Sequence, residues 1–209
     1  MMDLTGDLFV ISAPSGAGKT SLVDELLRRN ADLHVAISHT TRPQRPNEVN
    51  GVNYHFVSHQ EFVRMCQQDL FLENAEVFGY LYGTSKQSID AILAQGKDII
   101  LEIDWQGAAQ IRRSIPNCKT VFILPPSKGT LYSRLTRRGQ DDRQIIDARM
   151  NAAIAELSHF SEFDYLVVND LFASAILNLE EIIQGDCAHL SLQSQQINLQ
   201  DLITELLSE

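Results

Sequence analysis

The chain has 209 residues, of which 44% are hydrophobic and 21% charged, with a formal net charge of −10. That size and balance suit one well-cored soluble domain with small insertions, and the acidic excess argues against a general nucleic-acid binder. No apolar run is long enough to span a bilayer, and the three scattered cysteines (Cys66, Cys118 and Cys187) have neither metal spacing nor the look of a disulfide framework. The N-terminus, with Asp3 and Asp7, does not read as a signal peptide, and a cytoplasmic location fits best.

Leu8–Ser12 predicts a buried strand and Ser21–Arg29 a helix with Leu22, Val23, Leu26 and Leu27 on one face. Between them lies Ala13-Pro14-Ser15-Gly16-Ala17-Gly18-Lys19-Thr20. Strand, glycine-bearing turn, Gly-Lys-Thr and helix together predict a phosphate-binding loop. Gly16 and Gly18 let backbone N–H groups turn onto an anion. The new helix adds its unpaired N–H groups and positive dipole end. Lys19 adds a full charge, and the Thr20 hydroxyl can ligate Mg²⁺. The pattern usually begins with Gly; here it begins with Ala13, which is acceptable wherever positive φ is not required.

Val35–His39 predicts a short strand, followed by a polar, proline-bearing loop from Thr40 to Gly51. Asn53–Val57 reads as extended, and Ser58 with Glu61 forms a capping box for a helix to about Gln68. Phe71–Phe78 predicts a strand, Gly79–Thr84 a glycine-bounded aromatic turn, and Ser85 the cap of a helix ending near Gly96. Asp98–Asp104, Lys119–Leu124 and Tyr165–Val168 are further apolar strands. Helices are expected at 107–115, 127–138, 141–160, 171–184 and 197–207, with 193–200 as a loop before the last. Short, unalternating strands separated by helices indicate an α/β protein with a parallel sheet covered on both faces. Ligands in such sheets lie beyond the C-terminal strand ends.

Three groups of residues share chemistry with that loop. Glu102 and Asp104 end a strand and suit Mg²⁺, held directly or through water, or a plain solvated strand end. Arg42 and Arg45 on a proline-stiffened loop suit a phosphate, or mere solvent, and Tyr54 and Tyr82 are either hydroxyl donors or packed aromatics. Arg134, Arg137, Arg138, Arg143 and Arg149 crowd one hairpin around Gly139, where a basic cluster in an acidic protein needs an anionic partner, with an ordinary helix surface the alternative for Arg137 and Arg143.

These motifs carry a resemblance. The chain is similar to bacterial guanylate kinases in Ala-Pro-Ser-Gly-Ala-Gly-Lys (13–19), Ser-His-Thr-Thr-Arg-Pro (38–43), Glu-Val-Asn-Gly (48–51) and Glu-Val-Phe-Gly (76–79). Tyr-Gly-Thr-Ser (82–85), Glu-Ile-Asp-Trp-Gln-Gly (102–107), Ile-Leu-Pro-Pro-Ser (123–127), Arg-Gly-Gln (138–140) and Val-Val-Asn-Asp (167–170) follow in family order. The resemblance implies a P-loop core of 1–36, 91–128 and 151–209, a GMP-binding insertion at 37–90 and a lid at 129–150. It implies Mg²⁺-dependent transfer from ATP to GMP, with dGMP as a further acceptor, and small nucleotides rather than nucleic acid or membrane as partners. Residues 13–20 and Asn169 would bind ATP, with Lys19, Arg134, Arg138 and Arg149 acting on the moving phosphoryl group. Arg42, Arg45, Tyr54 and Tyr82 would hold the GMP phosphate, and Ser38, Glu73, Thr84 and Glu102 would read guanine. Many relatives have Asp at position 102, and Glu102 is one methylene longer. Thr20 and Asp104, the latter through water, would hold the metal. A non-catalytic binding module and a phosphosugar kinase are the competing readings; the intact Gly18-Lys19-Thr20 disfavours the first, and Glu73, Ser38 and Thr84 disfavour the second.

Overall fold

The computed structural model describes residues 6–136 and 143–208. In chain order its elements begin with β1 (Leu8–Ser12), α1 (Lys19–Arg29), β2 (Leu33–Val35), β3 (His39–Thr40), β4 (His55–Phe56) and α2 (His59–Gln67). They continue with β5 (Phe71–Val77), β6 (Tyr80–Ser85), α3 (Lys86–Leu93), β7 (Asp98–Glu102), α4 (Trp105–Ser114) and β8 (Lys119–Leu124). Then come α5 (Lys128–Thr136), α6 (Arg143–Leu157), β9 (Tyr165–Val168), α7 (Phe172–Gln184), α8 (Leu192–Asn198) and α9 (Gln200–Leu207). No helix among the described residues is long and apolar enough to cross a membrane.

One sheet runs in the order β2-β7-β1-β8-β9, with β2 parallel to β7 and β8 parallel to β9. Its strands are apolar without alternation, and Val10, Ile99, Ile100, Leu101 and Ile123 are wholly buried. Such strands are stable only with helices flanking the sheet. Each side chain withdrawn from water contributes roughly 1.5–3 kcal/mol. The fold is the expected α/β class with a parallel sheet flanked by helices.

The chain forms two compact units, one from Met1–Phe9 with Asp32–Cys118 and one from Val10–Ala31 with Lys119–Glu209. The first contains a second sheet, ordered β4-β3-β6-β5. In it β6 is antiparallel to both β3 and β5, and β4 is parallel to β3. Phe78 and Gly79, with φ of 51° and 77°, form the two-residue turn between β5 and β6. Positive φ at both central residues gives the twist that a tight hairpin needs.

Several local expectations differ from this structure. Gly79–Thr84 is mostly strand, because Gly83 serves packing and not turning: a Cβ there would lie 3.0 Å from the Phe71 ring and 3.1 Å from the Phe62 ring. The single strand expected at 35–39 is two strands, Leu33–Val35 beside β7 and His39–Thr40 beside β6. The loop expected at 193–200 is α8 and the start of α9. Ser191 caps α8 by accepting from the Ser194 N–H, and glutamine is a fair helix former once a cap is in place. Ser85 occupies the N-cap position of α3 without a side-chain cap bond.

Candidate functional site

The second unit carries the glycine loop. The chain leaves β1, closes a turn with the Ala17 N–H donating to the Pro14 carbonyl at 3.1 Å, and enters α1 at Lys19. Gly16 and Gly18 have φ of 89° and 92°. Ala13 is not among the residues with positive φ, so alanine at the first motif position is unstrained. Lys19 is half-buried and Thr20 exposed in the first turn of the helix. A helix start of this kind carries positive partial charge, an arrangement suited to an anion.

The back of the loop is braced. The Ala17 carbonyl accepts from Asn169 Nδ2 at 2.7 Å and from Arg134 Nη1 at 3.1 Å, while Arg134 Nη2 donates to the Asn169 carbonyl at 3.0 Å. Asn169 is buried at the end of β9, where its N–H donates to the Leu124 carbonyl. Arg134, expected on the moving phosphoryl group, is thus fastened to the loop itself. A cleft of about 290 Å³ opens beside it, lined by Gly16, Gly18, Ser21, Arg134, Asn169 and Phe172 among others. Arg149 is half-buried on α6, and Arg138 lies outside the described residues.

A Cβ at position 18 would lie 2.6 Å from Asn169 Nδ2, on a backbone that already has positive φ. Gly18→Ala should therefore destabilise the protein by about 1–3 kcal/mol. It should also abolish the thermal stabilisation given by ATP; melting curves with and without ATP test this. An unchanged melting temperature and an unchanged ATP shift would mean that the loop tolerates a side chain here.

The first unit carries the other predicted residues. Glu73 and Thr84 are directly paired across β5 and β6, and the β3–β6 register of His39 with Gly83 extends to Ser38 opposite Thr84. Ser38, Thr84 and Glu73 therefore line up across three neighbouring strands, and all three are buried. The Thr84 hydroxyl donates to Glu73 Oε1 at 2.5 Å, and the hydroxyls of Ser38 and Thr84 are 3.0 Å apart. Because a hydroxyl has one proton, Thr84 accepts from Ser38 while it donates to Glu73. Gly107 at the start of α4 makes room for the carboxylate: a Cβ there would meet Glu73 Oε2 at 2.5 Å.

Two residues before Thr84, Tyr82 lies on the same face of β6. Its ring meets that of Tyr54 edge to face, with centroids 5.9 Å apart. The Arg42 guanidinium lies 5.4 Å from the Tyr54 ring centre, and Tyr82 is among the groups whose electrostatics act on it. Burial, then the nearby Glu102 charge, push the Tyr54 hydroxyl up to about 12. It remains a proton donor at neutral pH. Arg42, Tyr54 and Tyr82 thus form a polar end and Ser38, Thr84 and Glu73 a buried end. Glu102 closes β7 with its charge acting on Tyr54, and Arg45 is exposed. Asp104 caps α4, with Oδ1 accepting from the Gly107 N–H at 2.9 Å and Oδ2 from Gln106 Nε2 at 3.1 Å.

Glu48 is a member of this cluster that sequence reasoning missed. It takes Arg42 Nη2 on one oxygen at 2.6 Å and the Arg45 N–H on the other at 2.8 Å. Burial raises the Glu48 pKa, but these two hydrogen bonds and the neighbouring arginine charges outweigh it and hold the carboxyl below its usual range. Arg42 also donates to the Pro43 carbonyl at 2.7 Å. The signal was a lone carboxylate in a loop of arginines, which shows its use only once the loop folds back on itself.

Comparison with known proteins follows the same outline. The sequence model of a family described as Guanylate kinase matches residues 5–186. A guanylate kinase of Pseudomonas fluorescens (strain Pf0-1) is 53% identical over 207 residues, covering 99% of this chain and 100% of that protein. One from Escherichia coli (strain K12) is 50% identical over 206 residues, covering 98% and 99%. The crystal structure of guanylate kinase from Anaplasma phagocytophilum superposes with a TM-score of 0.72 at 27% identity, covering 97% of this chain and 98% of that one. With a family match along most of its length and relatives at half identity end to end, the chain belongs to the guanylate kinase family of nucleoside monophosphate kinases.

Proposed function

We propose that this chain transfers the γ-phosphoryl group of ATP to GMP, and to dGMP, giving ADP and GDP for purine nucleotide metabolism in the cytoplasm. The observation that carries the reading is the buried Ser38–Thr84–Glu73 line. Guanine offers N1–H and N2–H₂ donors that a buried carboxylate accepts, and adenine lacks that pair. A site of this kind leaves polar groups unpaired with the wrong base, which discriminates by orders of magnitude. Glu102 is a further guanine contact in this reading. Arg42, Arg45, Tyr54 and Tyr82 hold the GMP phosphate, and the family membership of the chain supports the same substrate.

An oxygen of the GMP phosphate is already a nucleophile, so no side chain needs to act as general base. Catalysis is positioning and neutralisation of charge. Residues 13–20 cradle the ATP phosphates, Asn169 lies by the base or the lid hinge, and Lys19, Arg134, Arg138 and Arg149 offset the charge on the moving group. In this account 37–90 is a GMP-binding insertion and 129–150 a lid over a core of 1–36, 91–128 and 151–209; lid closure keeps water from the reaction. Thr20 and Asp104, the latter through water, would hold Mg²⁺. Thr20 is an exposed residue with a hydroxyl oxygen, and each Asp104 oxygen keeps a lone pair beyond its hydrogen bond to α4, so the residue types suit this hard cation. When bound, Mg²⁺ supplies charge neutralisation at the β- and γ-phosphates. A coupled ADP-release assay across GMP, dGMP, AMP, UMP and ribose phosphates tests the reading. Turnover with GMP and dGMP alone is expected; a preference for any other acceptor overturns it.

A further inference from the structure

The Ser15 N–H, at the third position of the glycine loop, donates to Glu156 Oε2 at 2.8 Å, from a residue 141 positions further along. Nothing in the phosphate-loop motif calls for this carboxylate. A negative charge at a loop that must attract a polyanion works against binding unless it does something else there. Glu156 is half-buried near the end of α6, so its bond is screened less than a surface contact. Arg149 lies on the same helix, seven residues earlier. Seven residues are about two turns, or about 10 Å along the axis, and return to the same face.

We propose that Glu156 is a positioning residue of the phosphoryl-transfer site. Its carboxylate holds the loop at Ser15, ahead of Gly16, and in the same contact sets the register of α6 against the loop. That register delivers Arg149 to the phosphates. One side chain thereby fixes the cradle and aligns a cation with it, which offsets the electrostatic cost of a carboxylate at this place. The inference rests on the reading of residues 13–20 as the ATP phosphate loop.

The test compares Glu156→Leu and Glu156→Gln with the wild-type enzyme in steady-state kinetics, with ATP and GMP varied separately. Calorimetry with ADP and melting curves accompany it. Glu156→Leu leaves the Ser15 N–H without its acceptor and should lower kcat/KM for ATP about 10- to 100-fold. Glu156→Gln keeps a neutral acceptor and should lose about 3- to 10-fold, since a charge-assisted hydrogen bond is roughly twice as strong as a neutral one. The KM for GMP should stay within about twofold in both, and the loss from Glu156→Leu should shrink in an Arg149→Ala background, because the two residues act as a unit. A folded Glu156→Leu with kcat/KM for ATP within twofold of wild type, with tighter ADP binding, or with equal losses for both substrates overturns the proposal. So does an undiminished loss in the Arg149→Ala background. If Glu156→Leu does not fold, Glu156→Gln decides by the same twofold criterion. Failure of the wild-type protein to bind ADP or ATP would instead remove the phosphate-loop reading itself.

Discussion

Lys19→Ala is expected to lower kcat by roughly 10²- to 10⁵-fold, in line with what single cations contribute to phosphoryl transfer. The residue is the first of α1, directly after the left-handed Gly18. The helix end already attracts phosphate through its N–H groups, so binding of ATP should survive in part. In the proposed mechanism the ammonium meets charge that gathers on the transferring group during reaction, so its removal should fall on kcat more than on KM. The side chain is half-buried at a helix start, where alanine is well tolerated, so the melting temperature should change little. Steady-state kinetics with a parallel melting curve separate the outcomes. Turnover near the wild-type rate would remove Lys19 from the chemistry.

Glu73→Gln is expected to lower kcat/KM for GMP roughly 10²- to 10³-fold, as two hydrogen bonds to a charged acceptor are worth several kcal/mol together. Glu73 is 2% exposed, and Thr84 already donates to its Oε1. With glutamine one of the two oxygens becomes an NH₂ group. That group faces donors on whichever side it points, either the Thr84 hydroxyl or the guanine edge. The KM for ATP should remain within about twofold, since the proposed ATP loop belongs to the other unit. AMP should lose far less than GMP, because it does not offer the paired donors. Equal effects on ATP and GMP would count against guanine recognition by this carboxylate.

The loop and the parallel strands were legible because their causes are local. Gly16 and Gly18 stand where the backbone takes positive φ, and β1, β7 and β8 are apolar runs that only a covered sheet can bury. The residues proposed to read guanine were not legible from pattern. Ser38, Thr84 and Glu73 become neighbours through the pairing of β3 with β6 and β6 with β5, which no period within 38–84 displays. Family resemblance supplied those names, and the register supplies their physical reason. Gly83 was read as a turn because its neighbours Phe62 and Phe71 are distant in sequence. Arg134 bracing Ala17, Glu48 clasping Arg42 and Glu156 on Ser15 are likewise long-range or loop-closing contacts, which become visible only after folding. The Gln-rich stretch misled for a different reason: polarity suggested a loop, while a serine cap and adequate helix propensity made α8.

In the function proposed above, one unit grips a guanine monophosphate and the other the phosphates of ATP. Isothermal calorimetry on the wild-type protein, with GMP and AMP titrated against both the free and the ADP-loaded enzyme, tests it most directly. One GMP site and one ADP site per chain are expected, with AMP failing to occupy the GMP site. A protein that binds ADP yet shows no heat with GMP, or that takes AMP as readily, would contradict it.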